Sequence, residues 1–143
     1  MSATHAGYLL VRAGDRIVGL SLDQVVEVMD LGDTFAVPAL EPAVRGVTRV
    51  RGRIMPLVHL GALLTGTTCP NERGDTAVVV ELSGRRVCLE VEGAETVLKD
   101  AGLPISSEAA MPWAVAVART EDGLLPLLDL AALGARITEG SAT

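Results

Sequence analysis

The run Pro56-Leu57-Val58-His59-Leu60-Gly61-Ala62-Leu63 returns 70 residues later, without a gap, as Pro126-Leu127-Leu128-Asp129-Leu130-Ala131-Ala132-Leu133. At the same offset Leu9-Leu10 falls on Val79-Val80, Gly14 on Gly84, Arg16 on Arg86, Ile17 on Val87 and Val28 on Leu98. Aliphatic runs match one another by chance. The identical Gly, Arg and Pro punctuation is therefore what argues for a duplicated unit.

Each half follows one grammar. An apolar run (Tyr8–Val11; Thr76–Leu82) meets a short turn containing glycine (Ala13-Gly14-Asp15; Ser83-Gly84), which is a hairpin signal. A second strand follows, and Arg86–Glu92 alternates cleanly. Val87, Leu89 and Val91 point one way, while Arg86, Glu90 and Glu92 point the other. A Pro-Leu-aliphatic strand then runs into a short Ala/Leu segment of helical-turn length. Thr65–Asp75 and Asp100–Glu108 read as polar loops, Glu121-Asp122-Gly123 as a hairpin turn and Thr138–Thr143 as a frayed tail. Short strands with glycine turns predict an all-β fold of two small barrels. At about 65 residues each they would be marginal alone, so they are expected to share a core.

Composition narrows the function. The chain has 143 residues and a net charge of −6, with a single lysine, Lys99, and three aromatic residues, Tyr8, Phe35 and Trp113. Nucleic-acid binding needs clustered cations and stacking surfaces, and this composition argues against both. No apolar run is long enough to span a bilayer, and Met1–Gly7 is short and polar, so a soluble cytoplasmic protein is expected. Cys69 and Cys88 form no CxxC pair and signal no disulfide framework. Together with His5 and His59 they fit no short chelating loop, so no metal and no cofactor is expected. Cys88 on its alternating strand reads as a small packing residue or an inert thiol. His59 could act as a base, yet no nucleophile elbow or carboxylate pair accompanies it. Neither GxGxxG nor Gly-Lys-Ser/Thr is present to cradle phosphate, so no enzyme is indicated.

The most individual stretch is Arg45-Gly46-Val47-Thr48-Arg49-Val50-Arg51-Gly52-Arg53, with four arginines and no acid. Extended, Arg49, Arg51 and Arg53 would share one side, unless Gly52 kinks the strand. Such arginines either form a solvated face balanced by the chain's own carboxylates or anchor an acidic partner surface. Gly46 and Gly52 suit turns. An RNA-binding barrel using this patch is the weakest reading, given the excess of acid.

Gly46-Val47-Thr48-Arg49-Val50-Arg51-Gly52-Arg53-Ile54-Met55-Pro56-Leu57-Val58-His59-Leu60 resembles the signature of CheW-like chemotaxis coupling proteins. Gly19–Val28 resembles that family's second strand and following turn, and Thr76–Leu98 and Trp113–Leu133 fit its second half in order. The resemblance implies two intertwined five-stranded SH3-like barrels in one domain, residues 7–136, with subdomains of about 7–65 and 75–136 and a tail at 137–143. It also implies a non-catalytic adaptor that links chemoreceptor cytoplasmic tips to a CheA-type histidine kinase, recruited to membrane-associated arrays without inserting into the membrane. Carried over by motif, the interaction residues are Val25, Glu27, Val28, Arg51, Gly52 and Pro56, with Arg49, Arg53 and His59 beside them.

Two positions depart from the family pattern. His59 stands where it has Asp, and Gly61 where it has Arg. The resemblance implies that this arginine pairs with the glutamate matched by Glu27. The bridge would then be missing, leaving Glu27 to face water, a partner or another arginine such as Arg51 or Arg53. A divergent adaptor that binds receptor or kinase but not both is the alternative. On that reading, restoring Arg at 61 and Asp at 59 would widen its partners.

Overall fold

Nearly every stretch that alternates, or runs apolar between glycine turns, is a strand. The computed structural model describes residues 7–39, 41–82, 84–98, 103–104, 114–120, 123–128, 130 and 133–134. The first half forms β1 (Tyr8–Ala13), β2 (Arg16–Ser21), β3 (Val25–Asp30), β4 (Thr34–Phe35), β5 (Val44–Val50), β6 (Arg53–His59) and the short helix α1 (Leu60–Thr65). The second forms β7 (Thr76–Leu82), β8 (Arg85–Val91), β9 (Gly93–Leu98), β10 (Leu103–Pro104), β11 (Ala114–Thr120) and β12 (Gly123–Leu128). The fold is all-β, as expected. Trp113, Glu121-Asp122, most of Asp100–Glu108 and the tail lie outside the described residues.

The repeat is written into the hydrogen-bond register. β5 pairs with β6 so that Val47 faces Pro56, and β11 pairs with β12 so that Val117 faces Pro126. Even the irregularity recurs, between Val44 and Gly46 in one hairpin and between Ala114 and Ala116 in the other. The halves also exchange strands, β3 pairing antiparallel with β7 and β9 with β1. Each of the two six-stranded sheets, β10-β11-β12-β2-β1-β9 and β3-β7-β8-β6-β5-β4, therefore draws on both halves.

Both faces of these sheets are apolar, which explains the aliphatic composition. In β7, Ala77 and Val79 face a small cluster with Val50, Met55, Leu57 and Cys88. The alternate residues Val78, Val80 and Leu82 face a large shared cluster with Val11, Val18, Leu20, Val58, Leu60, Leu89 and Leu128. Tyr8, Leu125 and Leu127 form the matching small cluster of the other sheet. The shared cluster lies between the sheets and takes residues from both halves, so a half-length chain would leave much of it in water.

Two local features differ from the sequence reading. Arg51 is not extended: it has φ of +52° and Gly52 of +81°, the pattern of a two-residue type I′ turn between Val50 and Arg53. Arg49, Arg51 and Arg53 thus flank and cap a hairpin tip rather than lining one side of a strand. Glu90, which the alternation sets on the side of Arg86 and Glu92, does not share their exposure. It is fully buried, because β8 is covered on both faces.

Candidate interaction site

The hairpin tip is built by its glycines. Gly52 takes the left-handed position of the turn. Gly46 admits the backbone of β4 so closely that any Cβ would run into the Phe35 carbonyl oxygen. With the tip so placed, the Arg51 guanidinium meets Glu27 on β3 through two nitrogens, Nε to Oε1 at 2.9 Å and Nη2 to Oε2 at 3.0 Å. β3 lies at one edge of its sheet, and β5 and β6 lie toward the other. This contact requires the sheet to curl until its ends approach, and the ion pair spans the closure.

Glu27 thus has its partner within its own half of the sequence. The bridge that the resemblance assigned to an arginine at position 61 is made here by Arg51, one of the two arginines that could substitute. Gly61 itself is buried in α1 against the β1–β2 turn, where a Cβ would crowd the Gly14 nitrogen at 3.0 Å, beside an opening of about 210 Å³ that Gly14, Asp15 and His59 also line.

Arg51 holds the Glu27 carboxyl below the usual carboxylate range, chiefly through their hydrogen bonds. A lowered carboxyl pKa stabilises the fold above the unfolded-state value, and this contribution is lost as pH falls through the folded-state value. Arg51→Gly keeps the positive φ and removes the partner. In that variant the Glu27 carboxyl is expected to titrate back toward the ordinary range, read by carboxyl-carbon NMR. An unmoved titration would show that the pair is not formed in solution.

The other expected interaction residues do not form one continuous surface. Val25 is half-buried and packs on the shared core, whereas Val28 is 43% exposed beside a similarly open Val26. The register shift between Val25 and Glu27 sets Val25 opposite Val80 and Val28 opposite Val78, on one face of the sheet, with Val28 nearer its open end. Arg49 and Arg53 are exposed, and Pro56 is half-buried opposite Val47. Arg49 and Arg53 make no ion pair among the described residues.

His59 is 4% exposed and belongs to the interior. Its Nδ1 accepts the Ala62 backbone N–H at 3.0 Å, capping α1, so the ring proton sits on Nε2 and is donated to Glu92 at 3.0 Å. The other Glu92 oxygen accepts the Gly14 N–H at 2.6 Å. Both ring nitrogens are occupied by structure.

A second buried pair lies outside anything the motif conveys. Arg45 donates to Glu90 from Nε at 2.6 Å and from Nη2 at 3.0 Å, and the Gly74 N–H adds a third bond at 2.7 Å. Its one sequence signal is an acid placed within the apolar run of β8. Burial raises both thiols, Cys88 to about 11, so neither supplies thiolate near neutral pH. Among the described residues no three His, Cys, Asp or Glu side chains are grouped to hold a metal ion, and no helix is long and apolar enough to cross a membrane.

No curated protein matches the chain. Among solved structures it is similar to the scaffolding protein TtCheW from Thermoanaerobacter tengcongensis. That match has a TM-score of 0.77 at 18% identity and covers 91% of this chain and 92% of that one, a likeness of fold. The strand-exchanged sheets and the hairpin signature fit the family assignment: over residues 7–137 the sequence matches the CheW-like domain, and the chain belongs to that family.

Proposed function

We propose that this chain is a non-catalytic adaptor of a bacterial chemosensory two-component system, which couples chemoreceptor cytoplasmic tips to a CheA-type histidine kinase. The observation that carries this reading is the CheW-like match over nearly the whole chain. The scaffolding description of its structural relative TtCheW agrees with it. On this reading the protein works in the cytoplasm and joins membrane-associated arrays through its partners. Its output is the geometry in which two partners are held, with avidity supplied by simultaneous contacts. Val26, Val28, Arg49 and Arg53 offer exposed apolar and cationic contacts, and the Glu27–Arg51 pair fixes the hairpin that carries the arginines.

Co-sedimentation with receptor cytoplasmic fragments and with CheA tests the proposal. Both partners should be retained by the folded protein, and a ternary complex should pellet more of it than either partner alone. Retention of one partner only is the result expected of a pathway selector and would overturn coupling. Retention of neither would remove the adaptor reading.

A further inference from the structure

The parallel pairing of β6 with β8 begins only at Leu57 and Cys88. Upstream of that point an opening of about 270 Å³ lies beside the two strands, lined by Arg53, Ile54, Met55, Glu81, Gly84 and Arg86. Arg53 and Ile54 come from the first half, and the other two charged residues come from the second. Arg49 lies directly across the β5–β6 ladder from Ile54.

The charges of this opening are only loosely paired within the protein. Arg53 and Arg49 make no ion pair among the described residues, and the contact of Arg86 with Glu81 is 3.8 Å long, too long for a hydrogen bond. Arg51, nearby at the tip, is already held by Glu27. Two arginines therefore line the opening with Glu81, with Glu27 near Arg86 and the exposed Arg49 across the ladder, in a chain whose net charge is −6. Between them Ile54 is 55% exposed, the highest value among the large hydrophobic residues that are exposed.

We propose that this cleft binds an acidic segment of a partner protein, one that sets an aliphatic side chain on Ile54 and flanking carboxylates on Arg53 and Arg86. Guanidinium forks suit carboxylates geometrically, and an apolar contact between them supplies the burial that exposed ion pairs lack. Charge complementarity selects the acidic occupant, because Arg53 and Arg86 gather positive charge at this opening in a chain of net charge −6. The inference rests on the adaptor reading for the existence of a protein partner, and it adds a recognition site composed from both halves.

The test is fluorescence anisotropy on the full chain. The probe is a labelled peptide carrying leucines among glutamates, compared with its glutamine counterpart and with an oligouridine RNA. The glutamate peptide should bind saturably and weaken with salt, and the glutamine peptide should bind about tenfold less tightly. The double variant Arg53→Glu/Arg86→Glu should lose at least about tenfold, and Ile54→Ser severalfold with the salt dependence kept. Arg12→Glu, which breaks the exposed pair with Glu95 on the other sheet, should bind as the parent does. Circular dichroism checks that each variant is folded. Absent binding of the glutamate peptide, equal binding by the double variant, or a preference for the RNA would overturn the proposal. If the peptide fails while receptor and kinase still co-sediment, only the cleft falls; if all fail, the adaptor reading falls too.

Discussion

Replacing Arg45 with Met is expected to cost the fold about 3–5 kcal/mol, the range for removing one partner of a buried ion pair. Glu90 has no exposed surface at all, while the Arg45 side chain keeps 15%. Once the guanidinium is gone, the carboxylate retains one donor, the Gly74 N–H, and loses two bonds at a site with no exposed surface of its own. The pair also ties β5 of the first half to β8 of the second, and Arg45 reaches the Glu72 carbonyl oxygen of the interhalf loop as well. Urea denaturation should show a lower midpoint with an unchanged slope, because the surface exposed on unfolding is nearly the same. Converting both partners, Arg45→Met with Glu90→Leu, should recover most of the loss, since no charge is then left buried. A single variant within about 1 kcal/mol of the parent would mean that the carboxylate finds water or neutralises itself cheaply.

The asymmetry of this pair sets it apart from the fold it stabilises. In the other half, the position equivalent to Glu90 is Leu20, fully buried in the shared core, and the position equivalent to Arg45 is Val115. The β5–β8 contact thus carries a charged pair at positions where the repeat has two aliphatic residues in sequence. A polar seam enforces one arrangement of neighbours, because mispairing would strand a charge, whereas an apolar seam tolerates sliding.

These particulars mark what the sequence could and could not convey. The hairpins, the repeat and the two-faced apolar strands are legible because period-2 alternation, Gly turns and Pro-Leu punctuation are local signals. The exchange of β3 and β9 between halves is implied by the family resemblance alone, since no local pattern records which strand a neighbour will join. The geometry of Arg51 is hidden because a non-glycine residue with positive φ looks, in sequence, like any strand residue before a glycine. His59 reads as an interaction residue, and Gly61 as a departure from the family pattern, because a motif gives types and spacing without burial. In the fold they are packing positions, and the ion pair expected at position 61 is made by Arg51 instead.

Gly61→Arg, alone or with His59→Asp, is accordingly expected to destabilise the protein rather than widen its partner range. A Cβ at position 61 would sit 3.0 Å from the Gly14 nitrogen and 3.2 Å from both the Ala13 carbonyl carbon and His59 Cε1. The β1–β2 turn would have to move to admit even alanine. An arginine must also bring a charge into a helix whose residues Leu60–Leu64 are all buried. Helix propensity favours arginine over glycine by about 0.7 kcal/mol. Overpacking against the β1–β2 turn outweighs that, so a net loss of about 1–3 kcal/mol is expected. Asp at 59 could still cap α1 by accepting the Ala62 N–H. It would, however, set a second carboxylate against Glu92, which already takes the Gly14 N–H and would lose its donor from the histidine ring. The two carboxylates repel only when both are ionised, so His59→Asp should lose more stability at pH 7 than at about pH 3.5. His59→Asn can cap through its oxygen and carries no charge, so its deficit should be smaller and nearly flat with pH. Thermal melts followed by circular dichroism at the two pH values decide the matter. A Gly61→Arg/His59→Asp protein that melts within a few degrees of the parent and binds additional partners would return both positions to the interaction surface.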